Sequence, residues 1–419
     1  MNYQKYKNNA YNLHLINTDK FKTIMVKINF KKKVNKEDTT HRNLLTKVLL
    51  NSNKTYKTKR EIEIATEDLY NLSISATSYL SGNYIITSFN GFFLNEKYTE
   101  EKMNEKSLNF ILDFILNPDV KKNEFTTFDL AYRLVEDEIN TIKDSPKSYS
   151  NIRLLEEMDE NNPLSFNPIG YLEDLENIKN KDLYKYYLRC LNSDLIDIFV
   201  IGDINKDETK KLINKVFSIN TLKKPGDNHF IKHTKIRKVA QTIKEQKPLK
   251  QAKVAIGLKI DKLTDFEKKY VMSIYSFILG GGPDSKLFKN IREKHSLCYS
   301  ISCTYRPVSN LLLINAGIDS DKFKKCLNLI KKELANMTKG RFDDSDLQAA
   351  KTTYVNSLKE IEDSPSSIIT TFESHEYLNF DLLEERMGNI ANVTKNDIIK
   401  VGKKIHLDTI FLLEGEVNE

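Results

Sequence analysis

Apolar and polar positions alternate early in the chain. Ile24, Val26, Ile28 and Phe30 alternate with Met25, Lys27 and Asn29, the period-two pattern of a strand with one buried face. In the second half Val254, Ile256, Leu258 and Ile260 alternate in the same way with Ala255, Gly257 and Lys259. Each stretch leads through a short charged turn into a helix-like segment, ending at Val48-Leu49-Leu50 in one half and Phe277-Ile278-Leu279 in the other. The correspondence continues in order. Ser73-Ile74-Ser75-Ala76-Thr77 matches Ser300-Ile301-Ser302-Cys303-Thr304, and Leu108-Asn109-Phe110-Ile111 matches Leu327-Asn328-Leu329-Ile330. Asp144-Ser145-Pro146 matches Asp363-Ser364-Pro365, and Gly202-Asp203-Ile204-Asn205 matches Gly415-Glu416-Val417-Asn418. Ordered matches of this kind predict a duplicated unit. Each copy reads strand, helix, strands, two long helices, polar segment, helix, final strand. The expected fold is α+β, with two tandem homologous domains, 1–221 and 251–419. Each would hold a mixed, mainly antiparallel sheet with helices mostly on one face, the pair closing as a clamshell.

Between the copies, 222–250 contains the breakers Pro225-Gly226 and Pro248, shows little periodicity, and reads as a linker. It holds nine Lys/Arg against Asp227 and Glu245, an excess that equals the +7 formal charge of the whole 419-residue chain. The two domains are therefore balanced, and the basic connector is expected to stay solvated. With 40% hydrophobic and 29% charged residues, the chain is ordinary for a globular protein. Cys190, Cys298, Cys303 and Cys326 form no C-x-x-C pair and read as reduced thiols. Met1 to Asn12 is polar with no apolar stretch behind it, and no apolar run approaches the ~18 residues of a membrane span. A cytoplasmic protein that neither crosses a membrane nor binds nucleic acid is expected, since the basic excess comes with no aromatic platform or recognition motif.

The second half holds the residues that suggest chemistry. Gly280-Gly281-Gly282-Pro283 could take positive φ and approach another chain closely, with Asp284 or Ser285 capping a helix that runs to Glu293. The spacing fits no phosphate-binding loop. Arg292 would sit at the end of that helix and Tyr299 at the start of the next strand. A guanidinium and a phenol so placed could grip a peptide carbonyl and donate to a developing oxyanion. Read singly, Arg292 is a C-terminal-turn charge and Tyr299 a half-buried strand aromatic. His229 and His233 have the i, i+4 spacing of a helical zinc pair, but Lys232 stands where a general base would be. His14, His295, His375 and His406 are scattered without ligand spacing.

L-G-G-G-P-D-S-K-L-F-K-N-I-R-E-K, followed by L-C-Y-S, resembles the signature of the C-terminal half of the pitrilysin/insulinase family of zinc metallopeptidases, and the duplication extends the resemblance over the whole chain. It is most similar to non-zinc members in low-GC bacteria, some named for elongation factor P modification. The resemblance implies that Gly280, Gly281, Gly282 and Pro283 guide an extended peptide, and that Arg292 and Tyr299 complete an active site. It also implies an H-x-x-E-H motif on the first helix and a third ligand on a later one, a position that Glu138 matches. The motif is missing here. Placing His41 as first ligand puts Leu44 and Leu45 at the base and second-ligand positions; aligning on Val48-Leu49-Leu50 gives Asn43, Thr46 and Lys47 instead. Neither register supplies two imidazoles and a carboxylate. The chain is thus expected to hold no metal, to be inactive alone, and to pair as a heterodimer with a pitrilysin-like subunit carrying zinc on an intact H-x-x-E-H, acting together on a peptide substrate. The alternative is a structural or interaction protein of the same fold with no role in proteolysis.

Overall fold

The computed structural model describes residues 1–142, 144–221, 229–233 and 235–415. In chain order the first half contains β1 (Asn2–Lys7), β2 (Asn12–Asn17), β3 (Thr23–Lys33), α1 (Lys36–Asn51), α2 (Lys59–Asp68), β4 (Ser73–Ser81), β5 (Tyr84–Leu94) and α3 (Met103–Leu116). A minimal ladder of β6 (Val120–Lys121) and β7 (Glu124–Phe125) follows, then α4 (Phe128–Ile142), α5 (Pro146–Met158), α6 (Leu172–Leu175), α7 (Asn180–Ser193), β8 (Leu195–Gly202) and α8 (Lys206–Val216). The second half contains β9 (Gln241–Lys247), β10 (Ala252–Ile260), α9 (Met272–Gly280), a wide π-type helical stretch Phe288–Glu293, β11 (Cys298–Arg306) and β12 (Leu311–Ile318). It closes with α10 (Phe323–Thr338), α11 (Asp344–Ile361), α12 (Pro365–Leu378), α13 (Leu383–Ile390), α14 (Lys395–Gly402) and β13 (Ile405–Gly415).

The strand order carries the duplication. One sheet runs β1-β2-β8-β3-β5-β4 and the other β9-β13-β10-β12-β11. The series β2-β8-β3-β5-β4 and β9-β13-β10-β12-β11 are equivalent, and in each the first pair is parallel while the others are antiparallel. The α+β expectation with two homologous units therefore stands. Ile24, Val26, Ile28 and Phe30 join the first core, beneath Leu44, Leu45, Val48 and Leu49 of α1. Val254, Ile256, Leu258 and Ile260 join the second, beneath Tyr275, Ile278 and Leu279 of α9.

The compact units are interleaved in sequence. One comprises Met1–Thr141, Asn167–Asn228 and Pro365–Thr370; the other comprises Ile142–Phe166, His229–Ser364 and Thr371–Glu419. The matched tripeptides Asp144-Ser145-Pro146 and Asp363-Ser364-Pro365 stand where the chain changes unit. In the second unit Leu154 and Met158 of α5 cover the sheet face opposite the main helices, packing with Leu311, Leu313, Phe411 and Leu413. Gly257 leaves the space for the Met158 thioether; a Cβ there would collide with it.

The connector differs from the solvated spacer expected over 222–250. Of that stretch, 222–228 and 234, with Pro225-Gly226, lie outside the described residues. The remainder belongs to the second unit: His229 and Ile231 are buried, and Gln241–Lys247 is a strand paired in parallel with β13. Its basic charge is partly met inside that unit, by Arg237 Nη1 to Asp408 Oδ1 at 2.6 Å and Lys244 Nζ to Glu414 Oε1 at 3.2 Å. The strand was hidden because Ile243 is its one apolar residue, and its alternation is of half-buried Gln241, Glu245 and Lys247 against exposed Thr242, Lys244 and Gln246.

Each unit also buries a lysine against an aspartate of its last strand. In the first, Lys31 Nζ lies 2.7 Å from Asp197 Oδ2. His14 Nε2 is 3.2 Å from Asp197 Oδ1, and Tyr3 Oη is 2.8 Å from His14 Nδ1. A carboxylate only accepts, so Nε2 donates to Asp197. In the second, fully buried Lys259 donates to the carbonyls of Met158 at 3.0 Å and Lys235 at 2.6 Å, with Asp408 Oδ2 at 3.6 Å. Lys259 thereby ties α5 and the connector to the sheet.

Candidate functional site

In the first unit α1 begins with a reciprocal cap, in which the Asn35 amide donates to Asp38 Oδ2 at 2.9 Å. Helical geometry then decides between the two registers of the missing motif. Leu44 and Leu45 point into the hydrophobic core, whereas Asn43 and Lys47, four residues apart on one face, meet Glu138 of α4. Asn43 Nδ2 donates to Glu138 Oε2 at 3.0 Å, and Lys47 Nζ lies 3.1 Å from the same oxygen. Asn43 also donates to the Ile169 carbonyl at 3.0 Å. Thr46 is buried, and its hydroxyl donates to the Asn43 carbonyl at 2.7 Å, so it has no part in proton transfer. His41 belongs elsewhere, stacked on Tyr186 with Nδ1 2.9 Å from the Glu37 carbonyl.

This set does not fit zinc. An ammonium has three donors and no lone pair, and it repels a divalent cation. Only Glu138 is an ordinary zinc ligand, where a catalytic site needs three ligands and an open position. Among the described residues no group of three or more His, Cys, Asp or Glu could hold a metal ion. The His229 and His233 rings go separate ways: His229 stacks on Tyr377 at 4.8 Å, and His233 Nε2 lies 3.1 Å from the Asn310 carbonyl.

In the second unit the glycines work by close packing. None of Gly280, Gly281 or Gly282 takes positive φ, contrary to the expectation from the triplet. Gly280, the last residue of α9, lets that helix approach β11, where a Cβ would lie 2.5 Å from Cys303 Cβ. At Gly281 it would lie 2.6 Å from Phe277 Cα, and at Gly282 it would meet nothing within 4 Å. Ser285, not Asp284, holds the turn, its hydroxyl donating to the Gly282 carbonyl at 2.6 Å. Gly281, Gly282 and Pro283 form one wall of a groove of about 340 Å³, with Ser345, Ala349 and Thr353 of α11 opposite.

Arg292 lies in the last turn of the stretch Phe288–Glu293, and the chain leaves through Ser296 in the left-handed region, φ 50°. Its guanidinium lies 4.5 Å from the Phe288 ring centroid, with Nε 4.0 Å from Glu293 Oε1. It is also near the Cys298 thiol: burial pushes that thiol up to about 11, and the arginine charge opposes the rise. Next to Cys298, the β11–β12 register slips, because Cys298 pairs with Ile318 and Ser300 with Gly317. Tyr299 occupies this bulge, so that it and Ser300 both face outward. Tyr299 is 63% exposed, and its hydroxyl donates to Asp319 Oδ1 at 3.3 Å. Lys322 holds the other carboxylate oxygen of Asp319 at 2.6 Å. Gly280 thus packs on β11 and Tyr299 stands on it, while Arg292 and Tyr299 each have a local partner. Sequence reading missed Asp319; its place opposite the Tyr299 bulge is set by strand pairing across the β11–β12 hairpin.

A duplicated α+β protein whose metal-ligand positions hold an amide and an ammonium defines a peptidase-like fold without its catalytic centre. Residues 177–354 match the family model for the peptidase M16 inactive domain. Along 99% of its length the chain is 28% identical to a probable inactive metalloprotease, YmfF of Bacillus subtilis, of which it covers 98%. It is 24% identical over 63% of its length to the non-peptidase homolog YmxG of Helicobacter pylori, covering 62% of that protein. Among solved structures, a conserved protein from Enterococcus faecalis superposes with a TM-score of 0.92 over 100% of both chains at 24% identity. A peptidase M16 inactive domain protein from Pseudomonas fluorescens superposes with 0.80 over 100% of this chain and 99% of that one at 17% identity. The chain is thus similar along its whole length to an inactive, peptidase-like protein, and over 177–354 it carries the match to the M16 inactive domain. None of its helices, among the described residues, is long and apolar enough to cross a membrane.

Proposed function

We propose that this chain is the non-catalytic, substrate-binding subunit of a two-chain, cytoplasmic M16 peptidase whose partner carries an intact H-x-x-E-H and the zinc. The observation that carries the reading is a contrast between units. The metal positions of the first are filled by Asn43 and Lys47, whereas Arg292 and Tyr299 of the second stay exposed, Tyr299 presented outward by a bulge. In the complex Arg292 would bind a backbone carbonyl of an extended peptide and Tyr299 would stabilise the tetrahedral intermediate, hydrolysis belonging to the partner. The four buried thiols are free, which suits a reducing compartment. The test is to mix the chain with an H-x-x-E-H subunit encoded beside it and follow peptide cleavage. The reading expects a complex whose turnover falls at least tenfold with Arg292→Ala and Tyr299→Phe together. No complex, or unchanged turnover, would refute it.

The alternative, a purely structural or interaction role, draws on a specific observation too. Tyr299 already donates to Asp319, and Arg292 already lies on Phe288, so both have local work without a substrate. It expects partner turnover to ignore both substitutions.

A further inference from the structure

The α1–α4 contact is the one place where family resemblance implies a metal and the side chains refuse it. Two donors on one helix face, Asn43 Nδ2 and Lys47 Nζ, converge on a single oxygen of Glu138, at 3.0 and 3.1 Å. A carboxylate oxygen with two lone pairs is satisfied by such a pair of donors. The Asn43 amide is fixed independently by its bond to the Ile169 carbonyl, and Asn43 is only 6% exposed. We propose that Lys47 is a built-in cation: its ammonium supplies to Glu138, permanently and through a covalent tether, the positive charge that a bound divalent metal would supply there. Helices α1 and α4 are thus joined at this point without a metal, and like-charge repulsion keeps a metal out. The Lys47 and Glu138 side chains are 32% and 36% exposed, so water reaches the pair and would equally reach an ion. This inference concerns the first unit alone and does not depend on the partnership proposed above.

The test has two arms. In the first, the full-length chain and the variant N43H/T46E/K47H are dialysed against zinc sulfate and the bound metal is measured. The wild type is expected to retain far less than one equivalent and to unfold at the same temperature with or without EDTA. The variant is expected to bind one equivalent, to unfold several degrees higher with zinc in excess, and to lose both properties when Glu138→Ala is added. A variant with native circular dichroism that binds no zinc would overturn the proposal, as would a full equivalent in the wild type. The second arm covers a variant that fails to fold: Lys47→Met and Glu138→Gln are combined in a double-mutant cycle of thermal midpoints. The proposal expects the double substitution to lower the midpoint no further than the larger single one, whereas additive losses would overturn it.

Discussion

Asn43 and Lys47 show how far a residue type can be read without its neighbours. Their helix spacing made them one of two registers for a missing motif; only Glu138, 91 residues beyond Lys47 in sequence, decides for them. The same holds for the glycines. A run of three suggested backbone freedom, but the structure uses them differently, and the difference is testable. Gly280→Ala drives a methyl group against the Cys303 backbone amide at 2.7 Å, where neither helix nor strand can yield without moving the other. It should cost about 1–3 kcal/mol in urea unfolding, the usual penalty of overpacking. Gly282→Ala meets only open space and should change stability by less than about 0.5 kcal/mol. Equal effects at both positions would contradict the packing described.

Among elements, the last strand of each unit carries a buried aspartate held by a lysine and, in the first unit, a histidine. Burial alone would raise the Asp197 pKa, but the Lys31 charge and the His14 hydrogen bond outweigh it and hold the carboxyl far below its ordinary value. A carboxylate depressed in the folded state stabilises it above the unfolded value, near 3.9, and that contribution is lost as pH falls below about 4 towards the folded value. Asp197→Asn should therefore cost about 3 kcal/mol at pH 7, since it strands Lys31, and should flatten the fall of stability between pH 5 and 3 seen in urea titrations of the wild type. A parallel prediction concerns the connector. Lys259→Met removes the donor of two buried carbonyls and a neighbour of Asp408, and should cost about 3 kcal/mol. Lys244→Met, at a partly exposed pair with Glu414, should cost less than about 1 kcal/mol. If both lysines prove equally dispensable, the connector is not anchored as described. The β9 strand that this anchoring serves was illegible because amphipathic alternation is read from apolar residues, and β9 has one.

For the whole molecule, duplication and interleaving pull in different directions. A chain ending at residue 221 would still carry α5, whose Leu154 and Met158 have their sheet in the other unit, and a chain starting at 251 would expose Leu311, Leu313, Phe411 and Leu413. Neither half expressed alone should yield a soluble, cooperatively unfolding monomer; each should bind a hydrophobic dye and aggregate, whereas the intact chain should not. Two soluble halves with sharp unfolding transitions would refute this. The amino-acid sequence by itself determined the class of fold and the number of units, because these rest on local period and on ordered repetition; the loss of the metal motif was legible only against the family resemblance that implies it. Tertiary structure alone decided that Asn43 and Lys47 meet Glu138, that Tyr299 stands on a bulge facing Asp319, and that α5 belongs with the second sheet. Each of these depends on groups far apart in sequence brought within a few ångströms, and such proximity is a property of the packed chain that no local pattern encodes.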